Sequence, residues 1–226
     1  MDFAFLCSAL EEVGLHSRGA FHPQEKDAVP LLADGAVVQT LVLVGAVGGS
    51  LWRAFAEAPE YRDGRAHPLD RWSLRVISQL ARAQGAQAVF PFGGPPHHPF
   101  LRWARRAEGL SPAPLGLLIH PRHGLWHSYR GALLFQEKLQ LPEAVQEESP
   151  CLSCSGQPCL SACPVGAFDG RVYDVDACAS HLRGDVEEAC ANAGCLARMA
   201  CPVAADDRYP EAQRRFHISA FLKSRT

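Results

Sequence analysis

Eight of the nine cysteines in this chain fall in its last third, and two of them stand directly before proline. They run Cys151-x2-Cys154-x4-Cys159-x3-Cys163-Pro164, then Cys178, Cys190, Cys195 and Cys201-Pro202. Close-set thiolates are the ligands of iron–sulfur clusters, and in bacterial two-cluster runs the cysteine before proline leaves its own run for the other cluster. Two runs, each closed by Cys-Pro, supply ligands for two [4Fe-4S] clusters and hence for electron transfer.

Two other chemistries compete for these cysteines. Disulfides need an oxidising compartment, and Met1–Leu15 has no basic start, carries Glu11 and Glu12, and offers no small-residue cleavage site. Zinc prefers two pairs of close ligands separated by a longer loop, whereas three cysteines and a Cys-Pro crowd into residues 151–164. Clusters suit that crowding better. Chain reach then assigns Cys151, Cys154, Cys159 and the returning Cys201 to one cluster, and Cys163, Cys178, Cys190 and Cys195 to the other. The spacings are looser than in a minimal bacterial pattern, so the sharing is less firmly specified than the existence of two clusters. Cys7, far away on an apolar stretch, reads as a small core residue.

Other side chains invite weaker readings. His97, His98, His120, His123 and His127 flank expected strand ends and could ligate a metal; no such pair lies on a firm helix, and His98-Pro99 and His120-Pro121 read more simply as turns. Phe92, Trp72, Trp103 and Trp126 could wall a flat cofactor pocket, although aromatic side chains are more often plain core. Arg102, Arg105, Arg106 and Arg122 could hold a phosphate or carboxylate, or simply face solvent. From these groups Phe92, Gly93, Arg122, Gly124 and Trp126 are the candidate cofactor-binding residues. No catalytic residue can be named. Neither Gly48-Gly49 nor Gly93-Gly94 has the spacing of a nucleotide fingerprint.

The elements that must position these groups fall into two regions. A chain of 226 residues with 47% hydrophobic content can bury a substantial core. Its net charge of −2 argues against nucleic acid as a partner, and its longest apolar run, Ala36 to Leu51, is too short to span a bilayer. A soluble, reducing, cytoplasmic setting is expected. The first region mixes helical and strand-like patterns. Helices are expected over Phe3–Val13, over Leu51–Ala58 with Ser50 as N-cap, over Leu69–Gln84 and over His98–Glu108. Strands are expected over Ala36–Val47, Ala86–Phe92, Leu115–His120, Leu125–Tyr129 and Ala132–Gln136. Polar, proline-bounded Leu141–Pro150 sets the boundary between domains 1–146 and 147–226. The second region consists of short turns around cysteines, closed by a helix over Tyr209–Lys223 with Phe216 and Phe221 available for packing.

The cysteine region resembles the two-cluster ferredoxin domain of the cobalamin-dependent epoxyqueuosine reductases and related reductive dehalogenases. CLSCSGQPCLSACPVGAF at 151–168, Asp176-Ala177-Cys178 and GCLARMACP at 194–202 carry the resemblance. It extends more weakly to residues 99–134, where Arg102–Ala107, Gly109-Leu110, Gly124, Trp126 and Gly131 match. The resemblance makes Cys178 a ligand. It implies an α+β architecture: an N-terminal nitroreductase-like, cobalamin-binding domain followed by a bacterial-type two-[4Fe-4S] ferredoxin-like domain. Those reductases carry a proton-delivering acidic residue near the strand that corresponds to Ala86–Phe92, and this chain has no carboxylate there.

The expected function is therefore iron–sulfur electron transfer, with a reductase activity of this group as its enzymatic form and electrons passing to a cofactor or substrate at the N-terminal domain. The expected partners are a flavodoxin- or ferredoxin-type donor and a small-molecule acceptor, with neither nucleic acid nor membrane. The alternative is an interaction or sensor protein with structural clusters.

Overall fold

The computed structural model describes residues 2–143, 147–184 and 189–225. In chain order the elements are α1 (Phe3–Glu11), β1 (His16–Phe21), β2 (Thr40–Val47), α2 (Trp52–Glu57), α3 (Pro59–Arg62), α4 (Pro68–Ala83), β3 (Gln87–Val89) and α5 (Phe100–Glu108). There follow β4 (Ser111–Pro112), β5 (Leu118–Ile119), β6 (His127–Phe135), α6 (Pro158–Ser161), α7 (Val175–Arg183), α8 (Ala189–Ala193), α9 (Leu196–Met199) and α10 (Glu211–Lys223). They form two compact units, Met1–Gly109 with His127–Gln146, and Leu110–Trp126 with Glu147–Thr226. A single cut after residue 146 therefore misses one feature: Leu110–Trp126 groups with the cysteine-rich chain, because its apolar side chains pack there.

In the first unit, four antiparallel strands run in the order β1-β2-β6-β3. The run TLVLVGAV makes β2 an interior strand, buried from Thr40 to Ala46. Such a continuous apolar run suits a strand covered on both faces. Helix α5 packs on β1 and β2, and α4 on β3 and β6. Asp2 caps α1, its Oδ1 accepting the Ala4 N–H at 3.0 Å. On α4, Trp72, Val76 and Ile77 share the buried face, while Leu80 is only half-buried. Gly85 and Gly109, with φ of 65° and 62°, follow α4 and α5 as expected.

Several expected elements differ. Ser50 does not cap α2; its hydroxyl donates to the Gly14 carbonyl at 2.9 Å and accepts from the Val47 N–H at 3.3 Å. Pro59 ends α2 but opens α3, as proline at the first helical position can. Strand β3 stops at Val89, because Pro91 and the Pro95-Pro96 pair beyond it cannot donate to a ladder. Helix α5 starts at Phe100, since Pro99 disfavours helical backbone at His98. The two strands expected over 125–136 are one, β6. Its irregularity is a bulge: Val44 faces Gly131 and Gly45 faces Tyr129, leaving Arg130 as the extra residue. The bulge aims Arg130 at Asp70 and at Ser73 Oγ, the latter 3.0 Å away.

In the second unit, β4 pairs with β5 and His120 bridges Gly124. The expected strand Leu115–His120 is thereby shortened to Leu118–Ile119. Short helices carry Cys159, Cys178 and Cys190, and the other cysteines of this region lie in turns and loops. Helix α10 contacts α7 and α8, but Phe216 and Phe221 are only half-buried, and Gln213 is the residue α10 buries fully. The fold is mixed α and β with antiparallel sheets. No helix among the described residues is long and apolar enough to cross a membrane.

Candidate metal centre

The centre is built on an apolar cluster in the second unit. Ala113, Leu115, Ile119 and Leu125 come from the β4–β5 hairpin and the turn after it; Cys159 and Cys201 lie 9% and 6% exposed among them, with Ala197 fully buried. Helix α6 opens at Pro158, whose missing N–H costs nothing there. It thereby seats Cys159 in the cluster.

Cys151, Cys154, Cys159 and Cys201 line one hollow, walled by Leu115, Ile119, Leu125 and Val203. The same four cysteines affect one another electrostatically. Burial raises the Cys159 thiol above its ordinary pKa, and Cys201, Cys151 and Cys154 raise it further. Burial likewise raises Cys151, with Ser149 hydrogen bonding against the rise and Cys201 and Cys154 adding to it. These four are the cysteines that chain reach assigned to one cluster.

Cys178 on α7, Cys190 on α8 and Cys195 just before α9 form a second neighbourhood. Burial raises the Cys195 thiol, backbone N–H groups of Arg198 and Ala197 oppose the rise, and Cys190 and Cys178 add to it. Asp174 fixes the start of α7 by accepting the Ala177 N–H at 2.9 Å. Cys163 packs against the first apolar cluster, as Cys195 also does, and its Sγ accepts the Ala167 N–H at 3.3 Å. Cys7 is half-buried, and burial raises its thiol pKa as well.

The donor set fits iron–sulfur clusters. Soft thiolates, apolar walls and backbone N–H groups aimed at sulfur are what such clusters need. Among the described residues, no group of three His, Cys, Asp or Glu side chains is arranged to hold a single metal ion.

The candidate cofactor-binding residues fit a corrinoid poorly. Trp126 is 1% exposed, with the Arg198 guanidinium 4.5 Å from its ring and equally 4.5 Å from that of Tyr209. Its indole ring is enclosed rather than available as a pocket wall. Gly124 has φ of 54°, and a Cβ there would run into the Val203 carbonyl. Arg122 is exposed, 3.6 Å from Glu147. In the first unit Gly93 is exposed and Phe92 half-buried, with Arg130 5.7 Å from its ring. Phe90 and Phe92 pack ring to ring at 5.2 Å. Trp72 packs edge-on to Phe55, and Trp103 donates its indole N–H to the Asp27 carbonyl at 2.8 Å, so both are core.

The histidines divide in the same way. His120 is buried and accepts N–H groups of Arg122 and His123 at Nδ1, at 3.0 and 3.2 Å, which makes it a turn former. His123 Nδ1 meets Asp207 Oδ2 at 2.9 Å. In the first unit His98 stacks on Trp103 at 5.7 Å, with its pKa lowered by burial and then by His97, and His127 meets the Tyr129 ring edge-on at 5.8 Å. The arginines of α5 include two that hold loops: Arg102 donates to the Lys26 carbonyl at 3.1 Å, and Arg106 pairs with Asp27 and donates to the His22 carbonyl at 2.8 Å.

Sequence reasoning missed a buried polar network in the first unit. Arg18, 1% exposed on β1, makes a two-pronged pair with Glu108 at 3.1 and 3.0 Å and donates to the Ala46 carbonyl at 3.2 Å. Tyr129 donates to the same carboxylate at 2.5 Å. The one available signal was a lone arginine ahead of Gly19, Ala20 and Phe21 in the strand His16–Phe21.

No protein-family model and no curated protein matches this sequence. Solved structures do resemble it. An epoxyqueuosine reductase crystallised with an epoxyqueuosine-modified tRNA-Tyr stem loop aligns over 92% of this chain at 15% identity, with a TM-score of 0.51. The chain spans 65% of that protein, less than two thirds of its length. The epoxyqueuosine reductase of Streptococcus thermophilus aligns over 93% of this chain and 68% of its own, at 12% identity and a TM-score of 0.51. At such identities the likeness is one of fold, and the fold this chain resembles is that of the epoxyqueuosine reductases.

Proposed function

We propose that this chain is an iron–sulfur electron-transfer protein. In this reading Cys151, Cys154, Cys159 and Cys201 hold one [4Fe-4S] cluster, and Cys163, Cys178, Cys190 and Cys195 hold the other. When bound, the clusters supply one-electron chemistry at low cost in rearrangement. The chain's own part is to bury the ligand sulfurs, shield them from water and donate N–H groups to them. The observation that carries the reading is the shared hollow: cysteines from opposite ends of the cysteine region line it together.

The finer reading divides the chain into a nitroreductase-like domain and a ferredoxin-like domain, with electrons passing toward the former. The likeness in fold to a reductase supports a redox role over a static one. Cobalamin stays outside this reading, because Trp126 and Gly124 are already enclosed by protein. RNA enters it as a candidate partner: one neighbour in fold is bound to a tRNA stem loop. The whole-chain charge of −2 also averages over an open cleft lined by Gln24, Lys26, Asp27, Arg102 and Arg106.

The test is iron and sulfide analysis of anaerobically purified protein, with EPR before and after dithionite and a cobalamin titration followed by its visible spectrum. Two [4Fe-4S] clusters per chain that cycle reversibly while the fold persists are expected, with the cobalamin spectrum unmoved. Purified protein that binds zinc, or no metal, would overturn the reading.

A further inference from the structure

Helix α9 is one turn long and lies between two of the proposed ligands, with Cys195 at its start and Cys201 beyond its end. Its backbone is tied to both. The Met199 N–H donates to the Cys195 carbonyl at 3.0 Å, and the Cys201 N–H donates to the Arg198 carbonyl at 3.3 Å. Ala197 is fully buried in the apolar cluster that holds Cys159 and Cys201. The next residue, Arg198, is a cation. Its Nη2 donates to the carbonyl of Leu125, whose side chain walls the hollow that Cys151, Cys154, Cys159 and Cys201 line.

The groups that hold this guanidinium are neutral. Its carbon lies 4.5 Å from the ring centres of both Trp126 and Tyr209, an arrangement that favours a cation. Its Nε is buried with no hydrogen-bond partner. Among the described residues no carboxylate pairs with Arg198. In the same unit Asp207 is committed to His123 and Glu147 to Arg122. A charge withdrawn from water without an opposite charge beside it is costly. Arg198 therefore calls for an anion that the neighbouring side chains do not supply.

We propose that Arg198 is the counter-charge of the first cluster: held at the Leu125 wall, its guanidinium raises the reduction potential of the centre formed by Cys151, Cys154, Cys159 and Cys201. The inference rests on the function proposed above. Four thiolates leave such a centre negative, and one-electron reduction makes it one charge more negative without making or breaking a bond. A fixed cation in a poorly screened interior favours the reduced form, and the potential rises.

The test is an EPR-monitored dithionite titration of the anaerobic full chain, comparing wild type with Arg198→Gln and Arg198→Lys. The first couple is identified as the one lost in Cys201→Ala. In Arg198→Gln it should be tenfold harder to reduce, about 59 mV lower for one electron, with the second couple unmoved. Arg198→Lys keeps the charge and should stay near wild type. Should Arg198→Gln fail to assemble the first cluster, citrulline in place of Arg198 keeps the shape and removes only the charge. It can be introduced by ligating a synthetic 195–226 peptide at the Gly194–Cys195 junction, and the same lowering is expected. Four results would each overturn the inference while leaving the proposed clusters standing: an unchanged first potential, an equal shift of both couples, a lysine variant as low as the glutamine one, or no first cluster even with citrulline. Absence of iron from the wild-type chain would instead remove the proposed function first, and this inference with it.

Discussion

Cys159 and Cys201 are buried in one apolar cluster and line one hollow, although they belong to different cysteine runs of the sequence. That pairing makes the C-terminal Cys-Pro part of the first centre. Cys201→Ala should therefore lower the iron content by about half, the share of one of two four-iron clusters, while Cys7→Ala leaves it unchanged. Iron and sulfide analysis of the two variants checks this directly, and equal losses in both would contradict it.

Gly124 lies behind the hollow at φ of 54°, against the Val203 carbonyl. Gly124→Ala adds the left-handed penalty of about 1–2 kcal/mol to a backbone collision that must push residues 201–203 aside. The expected outcome is a lower thermal midpoint together with faster iron release to a chelator. Gly64→Ala makes a useful control: its φ is 70°, but a Cβ there meets nothing within 4 Å. It should carry the conformational penalty without the iron loss.

Arg18 and Glu108 are an ion pair whose side chains are only 1% and 12% exposed. Removing one partner of a buried pair strands the other, at a cost of about 3–5 kcal/mol. Glu108→Ala should lose stability of that order in urea unfolding. Glu108→Gln, which can still accept from Arg18 and Tyr129, should lose less.

Tyr129 titrates far above the ordinary tyrosine range, because burial and then the Glu108 charge disfavour its anion. The unfolded chain ionises this phenol near pH 10, whereas the folded chain does not. Its contribution is thus fully present below that pH and declines as the pH rises above it. Urea midpoints measured from pH 9 to 11 should fall more steeply for wild type than for Tyr129→Phe, by the equivalent of one proton.

The strength of the cysteine signal is that ligand type and local spacing are properties of sequence. Cys151, Cys154 and Cys159 lie near enough in the chain that few folds could separate them. The core strand at β2 was equally legible, because TLVLVGAV can be satisfied only by burial on both faces. The places where expectation and structure part company depend on long-range contacts. Leu110–Trp126 was legible as strand and turn, but not as the wall beneath Cys159 and Cys201. Trp126 was a candidate pocket wall until Arg198 and Tyr209, distant in sequence, were found to enclose it.

The residue types and their order alone determined the chemistry this chain can support, since thiolate ligands and the Cys-Pro punctuation need no tertiary context to be recognised. Only the tertiary structure decided which cysteines share a hollow, that Arg18 is paired with Glu108, and that Arg198 and Tyr209 enclose Trp126. The physical reason is the same in each case. Local spacing limits what neighbours in the chain can do, whereas burial and pairing depend on groups that only folding brings within a few ångströms of each other.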